Sequence, residues 1–164
     1  MNIAARTANA AVLKNIPNGG TTLTAALVIG DQVLFAHVGD SRGYLITEEG
    51  IDQVTRDHSL VQRLKELGQI SDEEAAVHPQ RNVIYKAIGN SEDLEVDIIS
   101  RRLSPGAILL MCSDGLWGQV NNIQMMQIVQ EADHLEAAAE ALVAAANMAG
   151  GPDNITAILV QLPG

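Results

Sequence analysis

Three aspartates stand where runs of strand-forming residues end or begin. Asp40 follows Phe35-Ala36-His37-Val38-Gly39, and Asp114 follows Leu109-Leu110-Met111-Cys112-Ser113. Asp153 precedes Asn154-Ile155-Thr156-Ala157-Ile158. Strand ends are rigid platforms, and carboxylates projected from several of them can converge on one hard cation. Oxygen donors favour Mg²⁺ or Mn²⁺ over zinc, which prefers His and Cys. Each aspartate also sits in an ordinary turn sequence, Gly39-Asp40-Ser41, Asp114-Gly115 or Asp153-Asn154. Taken singly, the turn reading outweighs the metal reading.

The other chemistry-bearing side chains read more plainly. His37, His58, His78 and His134 are scattered and show no zinc spacing. Arg42 is expected to pair with a nearby carboxylate, and Leu116 and Trp117 to pack beneath the Asp114 loop. Cys112, the single cysteine, lies in the apolar run Ala107 to Cys112 and reads as a buried, inert thiol.

The elements that must position these residues follow from hydrophobic pattern and turn chemistry. An Ala-rich helix over Asn2 to Asn15 stops at Pro17 and Gly19-Gly20. Strands over Thr21 to Ile29 and Val33 to Val38 are joined by Gly30-Asp31, a hairpin signal. A third strand spans Gly43 to Thr47. Between Ser59 and Pro79, Leu60, Leu64 and Leu67 fit a short amphipathic helix, and Ser71 with Glu74 forms a capping box for another. Strands near Leu94 to Ile99 and Ala107 to Cys112 precede two helices, which Asn121 with Gln124 and Asp133 with Glu136 are expected to cap. The second runs from Leu135 to Met148 and ends at Gly150-Gly151, and a last strand spans Ile155 to Leu162.

At 164 residues the chain buries one core, and a single domain over 1–164 is the expectation. A formal net charge of −10 argues against nucleic acid and anionic membrane surfaces as partners. One cysteine fits a reducing compartment. No apolar run approaches the ~18 residues of a membrane span, and Met1 to Ile16 holds no signal-peptide core. A cytoplasmic location is expected.

Five motifs in order are similar to the protein phosphatase 2C family, in the style of its bacterial members. They are Gly20-Thr21-Thr22-Leu23, Ala36-His37-Val38-Gly39-Asp40-Ser41-Arg42, Asp57-His58-Ser59, Cys112-Ser113-Asp114-Gly115-Leu116-Trp117 and Gly151-Pro152-Asp153-Asn154-Ile155-Thr156. The tract Arg81 to Gly89 matches as well, so the resemblance covers about Gly19 to Leu162. It implies a fold of two antiparallel β-sheets in an α/β sandwich flanked by helices. It implies a hydrolase that removes phosphate from phosphoserine and phosphothreonine in proteins, using a water activated between two Mn²⁺ or Mg²⁺ ions.

By that resemblance Asp114 and Asp153 match ligands of one core metal, and Asp40 matches a ligand of a third, weaker ion that Asp114 would share. Residues 59–80 match the mobile flap beside the active site, and a solvated pair of helices fits them equally well. His58 is expected to order its loop rather than to transfer a proton. Nothing before Gly19 resembles the family's opening segment, with its acidic ligand and phosphate-binding arginine, or its Asp-Gly motif. The expectation is therefore an N-terminally shortened domain lacking its first strands. No catalytic or substrate-binding residue is assigned. The implied partners are a phosphoprotein and a Ser/Thr kinase counterpart, with self-association through exposed edge strands. The other reading is a catalytically silent, partner-binding family member.

Overall fold

The computed structural model describes residues 1–161, so the predicted end of the last strand at Leu162 lies outside the described residues. The Ala-rich start forms α1 (Asn2–Asn15). The first strands are β1 (Leu23–Ile29) and β2 (Gln32–Val38), joined by the turn Gly30-Asp31. They are followed by β3 (Arg42–Ile46) and the short β4 (Ile51–Gln53). Helices α2 (Leu60–Glu66) and α3 (Asp72–Ala76) precede β5 (Asp97–Arg102) and β6 (Ile108–Cys112). The chain then makes α4 (Asp114–Trp117), α5 (Asn122–Glu131), α6 (Leu135–Met148) and β7 (Ala157–Gln161). The strands form two sheets, ordered β1-β2-β5 and β4-β3-β6-β7. Two antiparallel sheets with helices are the fold class that the sequence implied.

The chain divides into two compact units. One comprises Met1–Leu27, Leu34–Asp40 and Arg56–Ser100; the other comprises Val28–Val33, Ser41–Thr55 and the chain from Arg101 onward. In the second unit, β3, β6 and β7 pair antiparallel, with Arg42 opposite Cys112 and Cys112 opposite Ala157. Alternation along the strands sends Tyr44, Ile46, Leu110 and Cys112 into one core. Helix α5 adds Met125 and Val129, and α6 adds Ala138, Leu142 and Ala146 at every fourth residue. Cys112 is buried there, as its apolar surroundings suggested.

The first unit has its own smaller core of Val38, Ile88 and Leu94, with Val12, Leu23 and Val96 against it. Helix α1 is fastened through Asn9, a buried amide with both ends satisfied. Its Nδ2 donates to the Ser91 carbonyl at 2.8 Å, and its Oδ1 accepts from the Gly89 N–H at 2.7 Å. An unpaired amide at that depth would be costly, so this side chain fixes where the helix lies.

Capping follows the sequence closely, with one correction. Ser71 and Glu74 form the expected box at α3, and Asn121 and Gln124 the expected box at α5. At α6 the N-cap is His134, whose Nδ1 accepts from the Ala137 N–H at 3.1 Å, and not Asp133. The ring nitrogen of a histidine at that position meets the same orphan donor that a carboxylate would. Strand β5 also starts later than expected, because Leu94 is spent on the core as a buried loop residue.

Leu142 is wholly buried between the helices and the sheet of its unit. Leu142→Ala is expected to destabilise the fold by about 2–5 kcal/mol, read as a lower urea midpoint at unchanged slope.

Candidate metal centre

Asp114 and Asp153 lie at the same end of the β6–β7 pair, one just after β6 and the other just before β7. Ser113 ties the two approaches together beyond the last strand rung. Its N–H donates to the Thr156 carbonyl at 3.1 Å. Its hydroxyl donates to the Asn154 carbonyl at 3.1 Å and accepts from the Thr156 N–H at 3.0 Å. Ser113 is also the N-cap residue of α4, but its oxygen makes no cap bond because it is spent across the gap.

Gly115 is the second constraint. A Cβ built on it would stand 2.3 Å from the Asn154 carbonyl oxygen, a backbone atom with no rotamer by which to yield. The missing side chain lets the Asp114 turn lie directly against the Asp153–Thr156 segment. Asp153 is exposed, and its Oδ1 accepts from the Asn154 N–H at 2.7 Å, a local turn contact. That contact lies in a loop held against Asp114's. Arg42 lies with its guanidinium carbon 3.6 Å from the centre of the Trp117 ring and donates to the Tyr44 hydroxyl at 3.3 Å. A cation–π stack and a phenol are thus among the contacts that hold Arg42. Leu116 is wholly buried, as expected.

Asp40 belongs to the other unit, at the end of β2, and is 8% exposed. Gly39 before it has φ +108°, and a Cβ there would meet Thr22 Cγ2 at 2.5 Å. Around this turn lies a cluster that spacing did not announce. His37 and His58 stack with ring centroids 5.0 Å apart. His37 is pinned on both nitrogens: Nε2 donates to the Arg56 carbonyl at 3.0 Å, so Nδ1 accepts from the Thr24 hydroxyl at 2.9 Å. His58 Nδ1 accepts from the Gly39 N–H at 2.9 Å, and its Nε2 lies 3.1 Å from Asp97 Oδ2. Lys86 Nζ reaches Asp97 Oδ1 at 3.2 Å.

Burial, reinforced by repulsion from His58, lowers the His37 pKa from 6.5 to about 4. Burial and the Lys86 charge likewise lower that of His58, against the pull of Asp97. Burial raises the Asp97 carboxyl, but His58 and Lys86 outweigh it and hold the group below its ordinary value. Three of the matched tracts carry members of this cluster, His37 in Ala36 to Arg42, His58 in Asp57-His58-Ser59 and Lys86 in Arg81 to Gly89, but none of them pairs these residues and none contains Asp97.

The described residues contain no group of three or more His, Cys, Asp or Glu side chains arranged to hold a metal ion. What fits a hard cation is the donor chemistry, carboxylate oxygens on the two fastened loops at Asp114 and Asp153. No helix among the described residues is long and apolar enough to cross a membrane.

The family model described as protein phosphatase 2C matches residues 2–91. A serine/threonine phosphatase stp of Listeria innocua is 42% identical over 142 residues, covering 87% of this chain and 56% of the relative. The chain thus spans little more than half the length of that curated relative. The crystal structure of serine/threonine phosphatase Stp1 from Staphylococcus aureus superposes with a TM-score of 0.91 at 35% identity, over 98% of this chain and 64% of that one. The catalytic domain of the serine/threonine protein phosphatase PstP, solved in complex with 2 manganese ions, superposes with a TM-score of 0.85 at 31% identity, covering 98% and 67%.

Two outcomes are expected. Gly115→Ala forces the Asp114 turn off Asn154, so the melting temperature falls and hydrogen exchange at the Thr156 amide accelerates more than in the helices. For His37, the folded pKa of about 4 lies below the unfolded 6.5, so the unfolded chain binds more protons in that window. The stability of the neutral ring is complete above pH 6.5 and falls as pH drops toward 4, by up to ~3 kcal/mol. Urea midpoints across that range check it, and the slope is shallower in His37→Gln.

Proposed function

Because the chain belongs to the protein phosphatase 2C family, we propose that it carries the cation-holding part of a protein serine/threonine phosphatase. The substrate class is phosphoserine and phosphothreonine in other proteins, and the cofactor is Mn²⁺ or Mg²⁺. The observation that carries this reading is the Ser113 network, which fastens the turn of Asp114 to the loop of Asp153 at one sheet end. Asp114 and Asp153 are the proposed ligands of a core cation, and Asp40 of a further, more weakly held one. When bound, such cations acidify a water and neutralise phosphoryl charge. The manganese in the PstP structure supports the choice of metal.

Several finer points belong to the same proposal. Both compact units are parts of one phosphatase domain, with residues 59–80 as its flap. Helix α2 has no buried residue, which suits a segment that moves against a substrate. A Ser/Thr kinase that makes the phosphoprotein is the implied counterpart. The buried single thiol suits a reducing compartment such as the cytoplasm.

One observation favours a second reading for the chain of 164 residues taken alone: the described residues hold no three-ligand cluster. Two carboxylates bind Mn²⁺ loosely, since affinity rises with ligand number and charge. The 164-residue chain is therefore expected to bind Mn²⁺ weakly and to leave p-nitrophenyl phosphate intact. Calorimetry should show weaker Mn²⁺ binding in Asp114→Asn than in the wild type, because a charged oxygen ligand is lost. Equal heats from both proteins overturn the ligand assignment. Turnover that needs Mn²⁺ and disappears in Asp114→Asn overturns the silent reading and leaves the phosphatase one.

A further inference from the structure

The His37–His58 cluster takes no part in the proposed chemistry, yet it is built around one peptide. Gly39 is held from both sides by a single residue. Its N–H donates to His58 Nδ1 at 2.9 Å, and its carbonyl accepts from the His58 backbone N–H at 2.8 Å. The neighbouring residue is Asp40. We infer that Lys86, Asp97 and His58 form a relay of positioning residues that fixes the Gly39–Asp40 turn, with Asp97 at the start of β5 as its control point.

The logic lies in the tautomer. A neutral imidazole has one N–H and one lone pair, and the partner of one nitrogen decides the state of the other. Asp97 Oδ2, 3.1 Å from Nε2, can only accept, so it draws the ring proton to Nε2. The lone pair is thereby left on Nδ1, where the Gly39 N–H needs it. Lys86, 3.2 Å from the other carboxylate oxygen, keeps Asp97 charged and aimed. Rotation of the His58 ring is opposed by His37 stacked at 5.0 Å and by Tyr85 edge-on at 5.9 Å.

His37 cannot drift, because both its nitrogens are engaged. Gly39 itself needs an external hold: at φ +108° with Thr22 at 2.5 Å from its virtual Cβ, it occupies backbone space that other residues cannot supply. A residue on β5 thus sets the posture of the carboxylate-bearing turn that follows β2 through one ring. The consequence for a bound cation rests on the reading of Asp40 as a ligand; the relay itself does not.

Nuclear magnetic resonance on the ¹⁵N-labelled chain tests the relay without any variant. Long-range imidazole correlations at pH 7 should show His58 as the neutral Nε2–H tautomer, and the Gly39 amide should be among the protected ones. Asp97→Ala should raise Gly39 exchange roughly tenfold while amides of the Leu110 core stay unchanged. His58→Leu should do the same. His58→Asn, whose Oδ1 can take the place of Nδ1, should restore protection and make it indifferent to Asp97. An Nδ1–H tautomer, or a Gly39 amide that exchanges equally fast in the wild type and His58→Leu, overturns the relay. So does a uniform loss of protection across the unit, the mark of a merely structural role. Adding Mn²⁺ separates the two readings, since broadening of the Asp40 amide in the wild type, reduced in Asp97→Ala, carries the relay to the cation. If Mn²⁺ leaves Asp40 untouched in the wild type, the ligand reading of Asp40 falls, and the exchange data alone decide the relay.

Discussion

One hydroxyl sets the geometry at the end of the four-stranded sheet. Ser113 stands past the last residue of β6, where the ladder would otherwise stop, and its side chain takes over the pairing with Asn154 and Thr156. The strands therefore stay in register until the chain has delivered Asp114 on one side and Asp153 on the other. A carboxylate on a frayed strand end would sample many positions and meet a cation in few of them. Here the backbone is paired to within one residue of Asp114, and Gly115 removes the side chain that would push the two segments apart.

The turn at Asp40 is held by a different physical device. In place of extended pairing, it uses two buried neutral histidines whose four ring nitrogens all have partners. Burial suppresses their charge, and the hydrogen bonds fix which nitrogen carries each proton. Such a network is fully satisfied or badly destabilising, with little between, because each orphaned group in a poorly solvated setting carries its own desolvation penalty. The two aspartate-bearing regions thus have unlike sensitivities. The Ser113 region depends on backbone closeness, and the Asp40 region on ring protonation.

Much of this was legible in the residues. The bounds of α1 and α6 emerge from Ala-rich runs closed by Pro17 and by Gly150-Gly151, and the boxes at Ser71 and Asn121 mark helix starts by their side-chain chemistry. Strand identity follows from apolar runs between turn residues. What sequence could not reveal were contacts with no period. His37 and His58 meet because β2 and the following excursion fold back, and Asp97 joins them from β5; nothing in linear spacing signals either event. The cap at His134 was missed because Asp133, the stronger cap former, stands beside it. Strand β4, only Ile51–Gln53, is too short for alternation to declare itself. Asp40, Asp114 and Asp153 were picked out by the order of motifs rather than by local chemistry, since each also sits in an ordinary turn sequence.

The pairing of β3 with β6 has a kinetic side. Arg42 finds Cys112, and Ile46 finds Ile108, only after the whole stretch containing α2, α3 and β5 has been made. Closing so long a loop costs entropy before any ladder bond repays it, whereas α5 and α6 gain their hydrogen bonds locally and early. During synthesis β3 emerges well ahead of its partner, with its apolar Tyr44 and Ile46 awaiting burial. The core that supports Asp114 is thus the late product of the chain, and substitutions that weaken β3–β6 pairing should slow the acquisition of the fold more than those confined to the helices.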